Sequence, residues 1–254
     1  MTIAFRSGLA ACDHYIEALY DSVRGMSSRF AATITCHLMR RQSDMGINGL
    51  IAEIGTFEGR FFIALAHALQ AGEKALAIDL FNWPNDGLLD LFRQHLARCG
   101  IDEAGIVIHK GASDELSPAD IRAKLGSEAG LRLFHIDGEH SREAITRDLD
   151  LAHAVMHAQG LIILDDMLHP GYPLLVIAVH DWLQRHPDMK VLATIDREDI
   201  VAAAKFVLCR ADAVSLYEDD LMASFPAQHF VLGAEFESYF CVVLTPKPRL
   251  AEVD

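Results

Sequence analysis

Three acidic residues stand where apolar, strand-prone runs stop. Asp137 ends the run in Phe134-His135-Ile136-Asp137-Gly138-Glu139-His140, and the pair Asp165-Asp166 ends Leu161-Ile162-Ile163-Leu164. A carboxylate that closes a strand points at the rim of its sheet, and neighbouring strand ends lie about 5 Å apart. Carboxylates so close repel one another unless something positive sits between them, so a divalent cation site is the leading expectation. His140, three residues beyond Asp137, is the candidate base beside it. Blander roles exist for each. Asp137 could cap the following helix or contact only a cofactor, Asp165 and Asp166 could be solvated strand-end acids, and His140 could serve backbone groups at a helix start.

A second constellation lies upstream. The turn Glu53-Ile54-Gly55-Thr56-Phe57-Glu58-Gly59 follows a short apolar run. Gly55 permits a tight turn and Gly59 a close approach of the helix start to a ligand or to the sheet. The pattern is not G-x-G-x-x-G, and no Lys-Ser/Thr follows, which excludes a P-loop. Asp79 closes the next strand, 26 residues after Glu53, where an acid accepts hydrogen bonds from both ribose hydroxyls. Phe81 and Trp83 could wall an adenine or serve as core or interface aromatics. Ser113 and Asp114, after the third strand, are placed to meet an adenine edge. Asp148 lies near the inward stripe of its helix, as a brace for the site or a partner of Arg147 or Arg142. His135 precedes Asp137 and is expected on the opposite sheet face by strand alternation, packed in the core. His169 and Tyr172 sit in a proline-glycine loop at the same rim.

The elements that must position these groups alternate. Leu50–Ile54, Ala75–Ile78, Ile106–Ile108, Leu131–Ile136 and Leu161–Leu164 read as strands. Helices over Phe57–Gln70, Leu88–Cys99, Pro118 to Gly126, Ser141 to Ala158 (stopped by Gly160) and Leu174–Arg185 separate and follow them. Five βα units in a row imply a parallel sheet with helices on both faces and right-handed crossovers. The tail reads as a strand over Val201–Cys209, a helix over Ala213–Ser224 and a final strand over Phe240–Leu244, expected to insert antiparallel beside its predecessor. Two helices over 8–24 and 28–42 precede the sheet. The chain therefore divides into a helical cap or oligomer segment, 1–48, and a catalytic domain, 49–254. Strand-end polar residues fall on the carboxyl edge, where open α/β sheets bind ligands.

Bulk properties narrow the partners. The 254 residues are 51% apolar and 23% charged, enough for a full core, and the net charge of −14 repels nucleic acid backbones and anionic membranes. A small-molecule partner fits better. Cys12, Cys36, Cys99, Cys209 and Cys241 are odd in number and widely spaced without C-x-x-C, which fits reduced thiols in a cytoplasmic protein. No signal segment or uninterrupted apolar run of about 18 residues stands out. The N-terminal helices make a homodimer plausible.

The order Glu-Ile-Gly-x-x-x-Gly, Ala-Ile-Asp, Ile-Asp-Gly-x-His-Ser and Leu-Asp-Asp resembles class I S-adenosylmethionine-dependent methyltransferases. The nearest branch is that of metal-dependent sugar and macrolide O-methyltransferases and cephalosporin-tailoring methyltransferase-like proteins. The resemblance covers about residues 48–185 and implies a Rossmann-like, seven-stranded, mostly parallel α/β sheet with an antiparallel last strand. It implies Glu53, Gly55 and Gly59 at the methionine end of S-adenosylmethionine, Asp79 on the ribose, Ser113 near the adenine, and Asp137 at the cofactor as well. It also implies Mg²⁺ held by Asp137, Asp165 and Asp166, with His140 as base. Mg²⁺ takes six oxygen ligands, so three carboxylates leave room for water and the two oxygens of a sugar, polyketide or catechol-like diol. Metal binding lowers the hydroxyl pKa, and His140 then takes the proton near neutral pH. The alternatives are a metal-independent N- or O-methyltransferase, a nucleotide-binding oxidoreductase, and a non-catalytic binding protein.

Overall fold

Nine strands form one sheet in the order β3-β2-β1-β4-β5-β7-β6-β9-β8, seen in a computed structural model that describes residues 5–126, 128–199, 201–230 and 233–247. Strands β1 (Leu50–Ile54), β2 (Ala75–Asp79), β3 (Ile106–Lys110), β4 (Leu131–Ile136) and β5 (Met156–Met167) are mutually parallel. The sheet order reverses between β1 and β4, so the carboxyl ends of these two strands open a crevice.

Side-chain alternation divides the core by sheet face. One apolar cluster joins Ile51, Ala77, Leu133, Ile163 and Val207 to α1 (Ala10–Ala18), α2 (Arg29–Asp44), α3 (Arg60–Ala66), α4 (Leu88–Arg98) and α8 (Glu218–Ser224). The other joins Ala52, Ile78, Phe134, Leu164 and Phe206 to α5 (Pro118–Leu125), α6 (Arg142–Val155) and α7 (Leu174–Arg185). Helix α2 buries eleven of its sixteen residues, so α1 and α2 form part of the main core rather than a detached layer. Arg132 on β4 is fully buried there, its guanidinium in a bidentate pair with Glu73 at 2.8 and 2.7 Å and bonded to Gln42 of α2. That pair ties α2 to the sheet.

The local signals explain the boundaries. Ser117 and Asp120 make a capping box at α5, Pro118 opens it, and Gly126 ends it in the left-handed conformation at φ 65°. Ser141 caps α6 through Ala144 N at 3.1 Å. That helix ends at Val155, short of Ala158, because the chain turns directly into β5 at Met156 and Gly160 lies inside the strand. A Cβ at Gly160 would stand 2.6 Å from the Leu131 carbonyl oxygen, so the glycine serves close strand approach and not helix termination.

The tail differs from expectation. An additional strand, β6 (Met189–Ile195), follows α7, and β7 (Ala204–Arg210) inserts antiparallel between β5 and β6. The β6–β7 connection carries no crossover helix, which is the condition for an antiparallel pair. The last strand, β9 (Tyr239–Leu244), runs parallel to β6 and antiparallel only to the short β8 (Ala234–Phe236). The antiparallel insertion expected of Phe240–Leu244 is therefore made by β7, and the sheet carries nine strands where seven were expected. Among the described residues no helix is long and apolar enough to cross a membrane.

Candidate active site

A cavity of about 540 Å³ opens at the carboxyl edge, a volume usual for small-ligand sites. Its wall includes residues 53–57 of the glycine turn but not Gly59, together with Asp79, Trp83, Ser113, Asp137, His140, Asp165, Asp166, His169 and Tyr172. Two strand-end sets predicted from sequence thus meet in one space.

The glycine turn is built by backbone proximity. Asp137 N donates to the Ile54 carbonyl at 2.9 Å and Gly55 N to that of Ile78 at 2.9 Å. Gly55 has φ 83°, and a Cβ there would fall 1.7 Å from the Asp137 carbonyl oxygen. Gly59 has φ 92° and faces the Phe92 ring, which a Cβ would meet at 2.7 Å. The Asp79 carboxylate is fixed from both sides, accepting from Phe57 N at 2.8 Å and Phe81 N at 2.7 Å. Phe81 is buried in the core, whereas Trp83 is 63% exposed and packs on Phe57 with ring centroids 5.5 Å apart. Ser113 Oγ donates to Asp148 Oδ1 at 2.7 Å, so Asp148 holds a residue of the cavity wall and reaches it only indirectly. Burial raises the Asp148 carboxyl above the usual carboxylate range, against the Ser113 hydrogen bond.

At the other end, His140 Nε2 lies 2.6 Å from Asp166 Oδ2. Asp166 adopts φ 59°, the left-handed conformation that aspartate tolerates better than most residues. The hydrogen bond to Asp166 raises the His140 pKa above its ordinary 6.5, against partial burial. Burial would raise the Asp166 carboxyl, but the same hydrogen bond holds it below its usual range. The Tyr172 ring stacks on His140 at 4.0 Å and 20°, and His169 stacks on Tyr172 at 4.7 Å and 25°.

Beneath this pair lies a group that sequence reading missed. Lys205 on β7 is 1% exposed, and its ammonium contacts Asp165 Oδ2, Ser27 Oγ at 3.1 Å and His135 Nε2 at 3.1 Å. Ser27 Oγ also lies 3.1 Å from Asp165 Oδ2 as its donor. Glu53 and His135 are register partners on β1 and β4, with His135 Nδ1 3.7 Å from Glu53 Oε2. Alternation puts Glu53, His135, Asp165 and Lys205 on the face covered by α3. There the Phe61 ring lies 4.4 Å from His135 and 4.6 Å from the Lys205 ammonium. The signal was legible: a lone lysine inside Ala202-Ala203-Ala204-Lys205-Phe206-Val207-Leu208 is a buried charge in search of a partner.

Charge shapes each acid differently. Burial would raise Asp165, yet the Lys205 ammonium brings it below the usual carboxylate range. Burial pushes Glu53 well above its usual range, with Asp165 and Asp79 adding to the rise. Asp137 is raised well above too, by burial and then by Asp165. His135 is held neutral, its pKa driven down by burial and by Lys205.

The expected set of Asp137, Asp165 and Asp166 around one ion does not match this arrangement. Asp165 turns Oδ2 to Lys205 and Ser27, and Oδ1 accepts the Asp166 amide at 2.8 Å. Among the described residues, the ligand atoms that come within 4.8 Å of one another are those of His135, Asp137 and Asp165, and those of Asp137, His140 and Asp166. Lysine occupies the first group. Mg²⁺ ligated by all three aspartates does not fit.

Residues 52–167 match the family model described as a methyltransferase domain. Among solved structures, the O-methyltransferase TomG from Streptomyces achromogenes, involved in tomaymycin synthesis and solved with S-adenosylmethionine, is 18% identical. The match covers 79% of this chain and 89% of that one, with a TM-score of 0.57. An O-methyltransferase from Bacillus cereus in complex with S-adenosylhomocysteine is 13% identical, covering 79% and 90%, with a TM-score of 0.56. CalS11, a TDP-rhamnose 3'-O-methyltransferase of calicheamicin biosynthesis, is 16% identical, covering 78% and 86%, with a TM-score of 0.53. At these identities the likeness establishes the fold. No match was found among curated proteins. The domain match over residues 52–167 and the Rossmann-like sheet together show the fold of a methyltransferase domain in this chain.

Proposed function

We propose that the protein transfers the methyl group of S-adenosylmethionine to a hydroxyl oxygen of a small metabolite, with His140 as base. One observation carries this reading: the His140–Asp166 pair, 2.6 Å apart, lines the same cavity as the glycine turn. On this reading Glu53, Gly55 and Gly59 receive the methionine end of the cofactor. Asp79, already oriented by two backbone amides, takes the ribose hydroxyls, Ser113 lies near the adenine, and Asp137 lies between cofactor and acceptor. Asp166 at Nε2 assigns the imidazole proton to that nitrogen and leaves the lone pair on Nδ1.

The step follows. Nδ1 would accept the proton of an acceptor hydroxyl, and S-adenosylmethionine, when bound against Glu53, Gly55 and Asp79, would supply the electrophilic methyl group, its sulfur keeping the electron pair of the broken carbon–sulfur bond. The cofactor is already reactive, so alignment and charge placement supply most of the rate gain. Two structural neighbours support a small-molecule acceptor, one acting on TDP-rhamnose and one in tomaymycin synthesis. A sugar, polyketide or catechol-like diol fits the cavity size. Met26, Trp83 and Val201, all exposed at the cavity wall, favour an acceptor with an apolar face.

A second reading rests on the spacing of Asp137, His140 and Asp166, whose ligand atoms lie within 4.8 Å. These residues would hold a divalent ion that polarises the acceptor, with His140 a ligand and not a base. Turnover with and without excess EDTA separates the two. His140→Ala that binds S-adenosylhomocysteine normally yet methylates as fast as wild type would remove the first reading.

A further inference from the structure

We propose that Lys205 is the resident cation of this acidic site: its ammonium occupies the charge-neutralising position beside Asp165 that a metal ion would otherwise fill, so methyl transfer here proceeds without a divalent ion. The inference rests on the reading of the cavity as the methyl-transfer site and names a residue that reading does not use.

The geometry supports a fixed role. An ammonium has three N–H donors, and Lys205 has three acceptors around it in Asp165 Oδ2, Ser27 Oγ and His135 Nε2. The Phe61 face covers the same ammonium at 4.6 Å. The side chain is 1% exposed, so water does not compete for it. The antiparallel register sets its place. Met167 pairs with Ala204 and Leu164 with Phe206, which brings residue 205 alongside the end of β5. A parallel strand would arrive with its opposite end there.

The Asp165–Asp166 pair is already engaged. Asp166 has its own partner in His140. Both Asp165 oxygens are engaged, Oδ2 by Lys205 and Ser27 and Oδ1 by the Asp166 amide. A metal approaching Asp165 from the cavity would also meet the field of the ammonium directly behind it. Lys205 does not line the cavity, so it acts on the reaction through the carboxylate it holds.

The test is Mn²⁺ uptake by the full chain with S-adenosylhomocysteine bound, followed by electron paramagnetic resonance of the free ion. Wild type should leave the free-ion signal unchanged, and turnover should survive EDTA. Lys205→Met frees Asp165 and should gain Mn²⁺ affinity by roughly tenfold or more. Should that variant fail to fold, Lys205→Met/Asp165→Asn removes both charges together and should fold without taking up Mn²⁺. Uptake by wild type that Asp165→Asn abolishes would overturn the proposal, as would a folded Lys205→Met with no gain. Metal uptake is read without any acceptor, so it stands apart from the fate of His140 as base, which the His140→Ala turnover decides.

Discussion

His140 Nε2 and Asp166 Oδ2 stand 2.6 Å apart, joining the loop after β4 to the end of β5 at the cavity wall. With His140 as the proposed base, the pair assigns Nδ1 to the acceptor and favours the protonated ring. His140→Ala should lower kcat by about 10²- to 10⁴-fold while S-adenosylhomocysteine binding is kept. Isothermal titration and single-turnover assays read the two effects separately.

The pH dependence follows from the same contact. A base works only when unprotonated, and Asp166 raises the His140 pKa above 6.5. Activity should therefore fall as pH drops through an inflection above that value. Asp166→Asn removes the charge and should move the inflection to lower pH. A profile that stays in place in Asp166→Asn would separate the limb from His140.

Cofactor binding should release protons. Burial holds Glu53 and Asp137 well above their usual pKa values, so both favour their neutral forms in the free pocket. The sulfonium and α-ammonium groups of S-adenosylmethionine favour the ionised forms. Affinity should rise with pH. Titration calorimetry in buffers of different ionisation enthalpy should show net proton release, which Glu53→Gln reduces.

Asp165 supplies a stability test. Its folded pKa is depressed, so it stabilises the fold above the unfolded carboxylate pKa, and that stability is lost as pH falls through the folded value. Urea midpoints measured from neutral to acid pH should drop over that window. Lys205→Met leaves a buried charge unpaired and should cost about 3–5 kcal/mol, with part of the loss recovered by adding Asp165→Asn.

Asp79 is held by the amides of Phe57 and Phe81 at 2.8 and 2.7 Å. Asp79→Ala removes both contacts and, on the proposed reading, the acceptor for the ribose hydroxyls, and should weaken S-adenosylhomocysteine binding by roughly ten- to a hundredfold, as expected for charged hydrogen bonds. Asp79→Asn keeps one oxygen acceptor and should bind between the two. Fluorescence of Trp83, at the same cavity wall, offers the readout.

The sequence made the strand-end rule visible. Asp79, Asp137 and Asp165 each end or follow an apolar run that is buried without interruption, and all three line the cavity. His135 is buried as expected, but not on the face opposite to Asp137: residues two apart share a strand face, and the ligand atoms of His135, Asp137 and Asp165 lie within 4.8 Å of one another. What stayed hidden depended on pairing partners far along the chain. Strand β6 carries the apolar run Val191-Leu192-Ala193-Thr194-Ile195, but it follows Pro187 and lacks a helix before the next strand, so the βα rhythm gave no place for it. Without β6, nothing indicated that Val201–Cys209 would run antiparallel beside β5. The Lys205–Asp165 contact spans 40 residues and depends on that one register. Ser27, 138 residues from Asp165, depends on how the loop before α2 crosses the sheet edge, which local periodicity does not encode.

The absent side chain at position 55 sets a limit on redesign. Even a methyl group there would drive β1 away from the Asp137 carbonyl, separating the glycine turn from the end of β4. Saturation libraries at this position should return glycine alone, and attempts to enlarge the pocket for bulkier acceptors have to begin at its outer wall, around Met26 and Val201.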